Sequence, residues 1–247
     1  MNVYGRNPVR EALRGSRTVS RVWATKNAAR APWLAPALSA PQPPTPTAAT
    51  PTPPELVIAS AQEIEERCGS AAHQGICAAV SEFRYASAPD LLAAPEPLIV
   101  VLDEVQDPQN LGSICRTAEC AGATGVIVPE RRSATVTAAV CKASAGAVEH
   151  IPIAQVRNIA DFLRDAKTAS LWCYGADAGA ALSYEQVDFG GGAVLVLGSE
   201  GRGLRPRVAA SCDVVVRIPI RGQIESLSVA AAASVLLYAA RASLDKH

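Results

Sequence analysis

The sequence has few of the features that build metal sites, disulfide frameworks or membrane spans. Its 247 residues include seven cysteines, an odd number without a Cys-X-X-Cys pair, and only three histidines, which lie far apart. These counts favour reduced, structural cysteines and argue against a metal site. No apolar run is long enough to cross about 30 Å of hydrocarbon, and residues 1–15 lack the apolar core of a secretory signal. We therefore expect a cytoplasmic protein without a metal ion or a membrane partner.

The common nucleotide and hydrolase motifs are missing as well. Three glycines, Gly198, Gly201 and Gly203, follow a strand-like run, but their spacing is neither G-x-G-x-x-G nor that of a P-loop. The sequence also has no G-x-S-x-G elbow. These absences exclude the standard dinucleotide site, the standard NTP site and the α/β-hydrolase class.

The chain lacks net charge, with 23 basic and 23 acidic residues, but the charge is unevenly distributed. Residues 1–35 hold seven basic residues and one acidic residue, whereas residues 36–100 hold two basic and seven acidic. The basic arm also contains Tyr4 and Trp23, aromatic side chains that can stack on unpaired bases. The zero net charge therefore does not exclude a nucleic-acid partner: such a contact would be local, and its affinity would fall with salt.

Composition divides the chain into two predicted domains. Residues 1–85 read as a small α/β domain, interrupted over 36–54 by an uncharged proline-rich stretch that we expect to form neither helix nor strand. Residues 86–97 are predicted to be a linker. From residue 98 to 247, continuous apolar runs alternate with helical patterns, which predicts an α/β domain with a mostly parallel sheet.

Three polar clusters follow the apolar runs, at the strand ends where open α/β sheets bind ligands. They read DPQNLGSICRTAECAG, LVLGSEGRGL and IPIRGQIESLSVAAA. Each has a simpler interpretation when taken alone. Asn110 can cap a helix, the glycines can form a structural turn, and Ser226 can cap the helix predicted over residues 226–242.

Taken together and in this order, the three clusters resemble the signature motifs of the SpoU (TrmH-type) branch of the SPOUT RNA methyltransferases. The segment KASAGAVEHIPI, between the first two motifs, is similar to the family as well. This resemblance covers residues 98–242. MNVYGRNPVREAL and HQGICA resemble the opening and the end of the substrate-binding domain of the same subgroup.

The resemblance implies an L30e/L7Ae-like N-terminal domain that holds RNA. It also implies a catalytic domain ending in a deep trefoil knot, an exception to the rule that chains are unknotted, and a homodimer. The implied reaction moves a methyl group from S-adenosylmethionine to a ribose 2′-hydroxyl, in this subgroup of a guanosine in 23S rRNA. Two alternatives stay open: the same chemistry on a tRNA or another rRNA nucleotide, and a non-catalytic RNA-binding or ribosome-assembly protein.

The resemblance also assigns residues. The implied catalytic residues are Arg116, Asn110, Glu200 and Ser226. The implied cofactor contacts are Leu197, Gly198, Gly203, Ile218, Leu227 and Ser228. The expected RNA contacts in the N-terminal domain are Arg6, Arg10, Lys26 and His73. The family proposal makes Arg116 the general base, but a guanidinium is rarely deprotonated in a protein, so a phosphate clamp is the alternative for Arg116.

Ser228 departs from the family pattern, which usually has asparagine at this position. Serine is shorter and offers one donor instead of two. This difference favours the non-catalytic alternative, whereas the retained Asn110, Arg116, Glu200 and Ser226 favour catalysis.

Overall fold

The computed structural model describes residues 1–42 and 52–246, which form two compact units. The first unit comprises Met1–Arg84 together with Thr135–His150. The second unit comprises Tyr85–Ala134 and the chain from Ile151 onward. The chain therefore leaves the second unit after residue 134 and returns to it at residue 151. A local pattern of apolar residues could not indicate this excursion, because periodicity does not say which core an element joins.

The first unit is built on a four-stranded mixed sheet in the order β1-β4-β2-β3. Its strands are β1 (Asn2–Tyr4), β2 (Val19–Ala24), β3 (Glu55–Ile58) and β4 (Ile76–Val80). Strand β4 runs antiparallel to β1 and β2, and β3 is parallel to β2. The helices of this unit are α1 (Arg6–Arg14), α2 (Leu34–Ser39), α3 (Ala61–Cys68) and α6 (Ala138–Ala143).

Helix α2 corrects part of the prediction for residues 36–54, which were expected to contain no helix. Pro36 is the third residue of α2, where the backbone N–H would have no partner within the helix, so the proline ring costs no hydrogen bond. Leu34 at the start of α2 is fully buried and holds the helix against the unit. Residues 43–51, the rest of the proline-rich core of this stretch, lie outside the described residues.

A buried ion pair ties the excursion 135–150 to the rest of the first unit. The Arg17 guanidinium pairs with the Glu149 carboxylate, and the two side chains are only 4% and 1% exposed. Arg17 also lies over the Phe83 ring, 5.6 Å from its centroid. Removing one member would leave an uncompensated buried charge, at a cost of about 3–5 kcal/mol. Arg17, one of the seven basic residues counted in residues 1–35, is therefore structural and is not available for a surface contact with nucleic acid.

The second unit is built on a seven-stranded sheet in the order β7-β6-β5-β10-β8-β11-β9. Every neighbouring pair is parallel, which confirms the prediction of an α/β fold with a mostly parallel sheet. The strands are β5 (Leu98–Leu102), β6 (Gly125–Pro129), β7 (Ile153–Val156), β8 (Trp172–Ala176), β9 (Leu182–Ser183), β10 (Ala193–Leu197) and β11 (Val214–Arg217). The helices are α4 (Ala88–Leu92), α5 (Pro108–Cys120), α7 (Ile159–Thr168), α8 (Pro206–Ala210) and α9 (Val229–Leu244).

The central strands β5, β6 and β10 are buried at all five of their residues, which explains their continuous apolar runs. The predicted linker 86–97 joins the same core. Ala86 forms a parallel bridge with Ala154, and Leu91 of α4 is 5% exposed. Leu91 packs directly over Gly125, where a Cβ would lie 2.7 Å from a methyl carbon of Leu91, so glycine leaves space for the leucine side chain. None of the helices formed by the described residues is long and apolar enough to cross a membrane.

Candidate functional site

A cavity of about 570 Å³ opens at the carboxyl ends of β8, β10 and β11 in the second unit. All six predicted cofactor contacts line it: Leu197, Gly198, Gly203, Ile218, Leu227 and Ser228. Glu200 and Ser226 line it as well. A smaller cavity of about 360 Å³ is lined by Asn110 and Glu200, and the two cavities share Ser199, Glu200, Arg202 and Val229. The structure thus brings the second and third motifs to one place, with Asn110 of the first motif beside them.

The glycine loop (residues 198–205) forms one wall of the larger cavity. A Cβ at Gly198 would lie 2.1 Å from the carbonyl carbon of Gly203, so a side chain there would collide with backbone. The Gly203 N–H donates to the Ser199 carbonyl at 3.0 Å, which closes the loop. Gly201 and Gly203 have φ values of 80° and 65°, which favour glycine. The three glycines do not have the spacing of a phosphate-binding loop. Gly198 instead allows two backbone segments of the loop to cross in close contact.

Asp103 and Arg205 anchor this loop, and sequence reasoning missed both residues. Asp103 follows β5 directly and its side chain is fully buried. Its carboxylate accepts hydrogen bonds from Arg205 Nε at 2.8 Å and from the Arg205 backbone N–H at 2.9 Å. The hydrogen bond to the Asp103 carboxylate raises the pKa of Arg205, so the guanidinium keeps its charge throughout the neutral range. An acidic residue directly after an apolar strand was the signal that could have identified Asp103.

The third motif ends at Ser228, which caps α9. The Ser228 Oγ accepts a hydrogen bond from the Ala231 N–H at 3.2 Å, and the helix begins at Val229. The predicted start of this helix at Ser226 is therefore wrong by three residues, and Ser226 stays in the exposed loop that lines the cavity. Asparagine and serine are both good helix caps, so the departure from the family's asparagine preserves the capping role.

The cavity wall formed by the third-motif loop (residues 218–228) carries apolar side chains that remain partly exposed. Ile220 and Leu227 line the cavity and are 38% and 43% exposed. Ile224 in the same loop is 77% exposed. Exposed aliphatic side chains next to backbone polar groups are typical of sites that bind a small molecule with an apolar part.

The first motif places Asn110 and Arg116 differently. Asp107, not Asn110, caps α5, because its carboxylate accepts a hydrogen bond from the Gln109 N–H at 3.0 Å. Asn110 lies in the first turn of α5 and lines the smaller cavity with Glu200. Arg116 is exposed further along α5 and lines neither cavity. Within one chain, Asn110 and Glu200 therefore line the same cavity, whereas Arg116 lies outside it.

The predicted RNA contacts of the first unit are also unequal. Arg6 and Lys26 are exposed, whereas Arg10 Nε is paired with Glu11 at 2.8 Å. His73 is only 7% exposed, and its Nδ1 accepts a hydrogen bond from the Gly75 N–H at 2.9 Å. The His73 ring therefore stabilises a loop, which corrects its assignment as an RNA-facing residue.

Trp23 also differs from its predicted role in base stacking. The indole is only 8% exposed, and the Arg67 guanidinium lies 4.7 Å from its ring centroid. Its face is thus already covered by a cation.

All seven cysteines are free thiols. Burial raises the pKa of Cys173 and of Cys212 to about 12, so both are protonated and unreactive near neutral pH. Among the described residues, no three His, Cys, Asp or Glu side chains form a group that could hold a metal ion.

The parallel sheet and the cavity at the ends of its strands define an α/β protein with a small-molecule site built from three chain segments. Residues 97–238 match the model of the SpoU rRNA methylase family. A Bacillus subtilis (strain 168) protein, YacO, named as a TrmH-family tRNA/rRNA methyltransferase, is 42% identical over 171 residues, 67% of this chain and 69% of its own. The chain therefore belongs to the SpoU rRNA methylase family.

Two solved structures are similar over different lengths. The AdoMet-bound rRNA methyltransferase from Sinorhizobium meliloti is 26% identical with a TM-score of 0.78, over 98% of this chain and 86% of its own. A structure described for the 2-OH methylation of C/U34 on tRNA is 26% identical with a TM-score of 0.56, over 62% of this chain and 100% of its own. The first match thus includes both units of this chain, and the second leaves more than a third of it unmatched.

Proposed function

We propose that this protein methylates a ribose 2′-hydroxyl of RNA with S-adenosylmethionine as methyl donor. The proposed substrate is a guanosine of 23S rRNA, as in enzymes of the RlmB type. The observation that carries the proposal is the cavity of the second unit, where the glycine loop and the third-motif loop meet beside Asn110.

The cavity fits the cofactor in size and in chemistry. Its volume of about 570 Å³ lies within the range of small-molecule sites, and Ile220 and Leu227 offer exposed apolar surface for an adenine ring. The close crossing at Gly198 leaves backbone groups of the glycine loop at the cavity wall. We propose that this loop, with Ile218, Leu227 and Ser228, holds the cofactor largely through backbone contacts.

When bound, S-adenosylmethionine supplies a methyl group on a positively charged sulfur, which leaves as a neutral thioether. The chain must therefore position the ribose and accept a proton, and it need not activate the leaving group. Positioning alone can contribute several kcal/mol to lowering a barrier.

The smaller cavity is the place we propose for the ribose. Asn110 has an amide that can orient ribose hydroxyls, and it lines this cavity together with Glu200. The Glu200 carboxylate stands on the wall shared by both cavities. We assign to a Glu200 carboxylate oxygen the proton released by the 2′-hydroxyl, because Glu200 is the acidic residue that borders both proposed subsites.

Arg116 has a different role in this proposal. Its exposed position on α5, outside both cavities, suits a contact with a phosphate group better than proton transfer. The positive charge would hold the nucleotide and lower the pKa of the hydroxyl.

The homodimer and the trefoil knot implied by the family resemblance are part of the same proposal.

The first unit supports an rRNA substrate over a tRNA substrate. One structure whose similarity includes both units is that of an rRNA methyltransferase, whereas a structure concerned with tRNA matches 62% of this chain. The additional unit carries exposed cations such as Arg6 and Lys26, which can bind RNA outside the catalytic cavity.

Mapping ribose methylation across total RNA, with and without this protein, tests the proposal directly. We expect one 23S rRNA guanosine to lose its methyl group when the protein is absent and to regain it with purified protein and S-adenosylmethionine. A modified site in tRNA would replace the proposed substrate. Purified protein that binds S-adenosylmethionine and RNA but methylates no ribose would favour the non-catalytic alternative.

A further inference from the structure

Lys142 of α6 is a partly buried cation in the first unit. Its Nζ lies 5.9 Å from the centroid of the Tyr4 ring. A Cβ at Gly5 would lie only 2.5 Å from this nitrogen, so the ammonium rests directly over the Gly5 backbone. Burial lowers the pKa of Lys142, which means that its charge is incompletely solvated. An anion placed next to this ammonium would restore the lost solvation.

Two carboxylates of the same unit, those of Glu11 and Glu149, are already paired with arginines. Glu11 accepts a hydrogen bond from Arg10 Nε at 2.8 Å. Glu149 is paired with Arg17 inside the core. Within the described part of the chain, Lys142 has no ion-pair partner. Its charge is therefore available to a ligand.

Arg6 extends this charge along the surface. It follows Gly5 directly, its side chain is exposed, and no ion pair of the described residues includes it. Its backbone N–H donates to the Gln74 Oε1 at 2.9 Å, which fixes the start of α1 next to Lys142. The first turn of α1 contains no acidic residue. Lys142 Nζ and the Tyr4 ring thus lie beside Gly5, and the exposed residue Arg6 follows Gly5 in the chain with its backbone bonded to the Gln74 amide.

We propose that Lys142 and Arg6 together bind a phosphate group of the RNA backbone, and that the Tyr4 ring positions the Lys142 side chain. The inference rests on the proposed function and adds to it a contact from the excursion 135–150. Cation pairs beside an aromatic ring suit the backbone of RNA, whose phosphates carry the affinity. In this proposal the excursion 135–150 has a function: it places Lys142 on the surface of the first unit that binds RNA.

The test measures binding of a 23S rRNA transcript at several salt concentrations to wild type, Lys142→Met, Lys142→Arg and Arg6→Met. Losing one phosphate contact should reduce the slope of log affinity against log salt by about 0.7–0.9, which is about a sixfold loss of affinity at 0.1 M salt. We expect this change for both methionine variants and little change for Lys142→Arg. Lys246→Met removes an exposed lysine of the second unit and is the matched control, with the slope of wild type.

The other possible results contradict either the phosphate contact alone or the proposed function as well. If wild type binds and methylates RNA but Lys142→Met keeps the wild-type slope, the phosphate contact is wrong and the proposed function stands. If Lys142→Arg loses as much as Lys142→Met, packing and not charge is responsible, and the contact is also wrong. If wild type binds no RNA, both proposals fail. As a control for folding, the thermal unfolding and S-adenosylmethionine binding of each variant should match those of wild type. Arg6→Met changes an exposed residue, so it tests the phosphate contact without altering the core.

Discussion

Ser228 connects the stability of α9 to the cofactor cavity, so substitutions there separate capping from binding. Its Oγ accepts the Ala231 N–H at 3.2 Å at the start of a 16-residue helix, and the residue also lines the larger cavity. Ser228→Ala removes the acceptor and should destabilise the protein by about 1 kcal/mol. Because Ser228 is exposed, no loss of core packing adds to this value.

Ser228→Asn keeps an oxygen that can cap the helix and restores the residue usual in the family. We expect its free energy of unfolding to stay within about 0.5 kcal/mol of wild type. Its methyl transfer should be preserved or higher, because the asparagine amide adds a donor at the cavity. Ser228→Ala should bind S-adenosylmethionine more weakly, by about fivefold if a hydrogen bond worth about 1 kcal/mol is lost from binding.

Thermal unfolding and calorimetric titration with S-adenosylmethionine decide between these expectations. For a chain of this length, a change of about 1 kcal/mol corresponds to a shift in Tm of about 2–4 °C. A Ser228→Ala protein as stable as wild type would refute the capping argument. A large loss of activity in Ser228→Asn would show that the site has been rebuilt around serine.

Three further predictions follow from the site and its surroundings. Glu200→Gln should lower kcat by at least about a hundredfold, because it removes the proposed proton acceptor. Arg116→Ala should also lower methyl transfer by about a hundredfold, because the nucleotide loses its positioning contact, and it should leave S-adenosylmethionine affinity unchanged because Arg116 lies outside the cavity. Full activity in either variant would contradict its assigned role. Arg205→Met removes two charged donors from the buried Asp103 carboxylate, and we expect it to lower the free energy of unfolding in denaturant by about 2–3 kcal/mol. Adding Asp103→Asn to Arg205→Met should reduce this loss, because the unpaired carboxylate is then removed. A double variant that loses as much stability as Arg205→Met alone would contradict the pairing. Cys120 is the exposed one of the seven thiols and should react first with a disulfide reagent. The thiolate is the reacting form, and partial desolvation and the neighbouring Glu119 raise the pKa of Cys120, so the rate should increase as pH rises above neutral. An unchanged fast phase in Cys120→Ser would refute this.

Local sequence patterns were sufficient to predict most elements of the second unit. The runs that form β5, β6 and β10 are apolar at every position because both faces of the sheet are covered, and this burial can be read from composition. Polar residues after such strands also indicated where a ligand site would form. The same local reasoning failed for Leu91, which lies in a stretch rich in alanine and proline but packs over Gly125.

The sequence by itself determined the class of fold, the three motifs and the uneven charge of the chain, because all three depend on residues close together along it. Only the tertiary structure decided which charges are available. It buries Arg17 against Glu149, pairs Asp103 with Arg205, and leaves Lys142 without a carboxylate beside Tyr4. These contacts join residues 102 to 138 positions apart, and a pairing of that length is fixed by packing, not by any local preference.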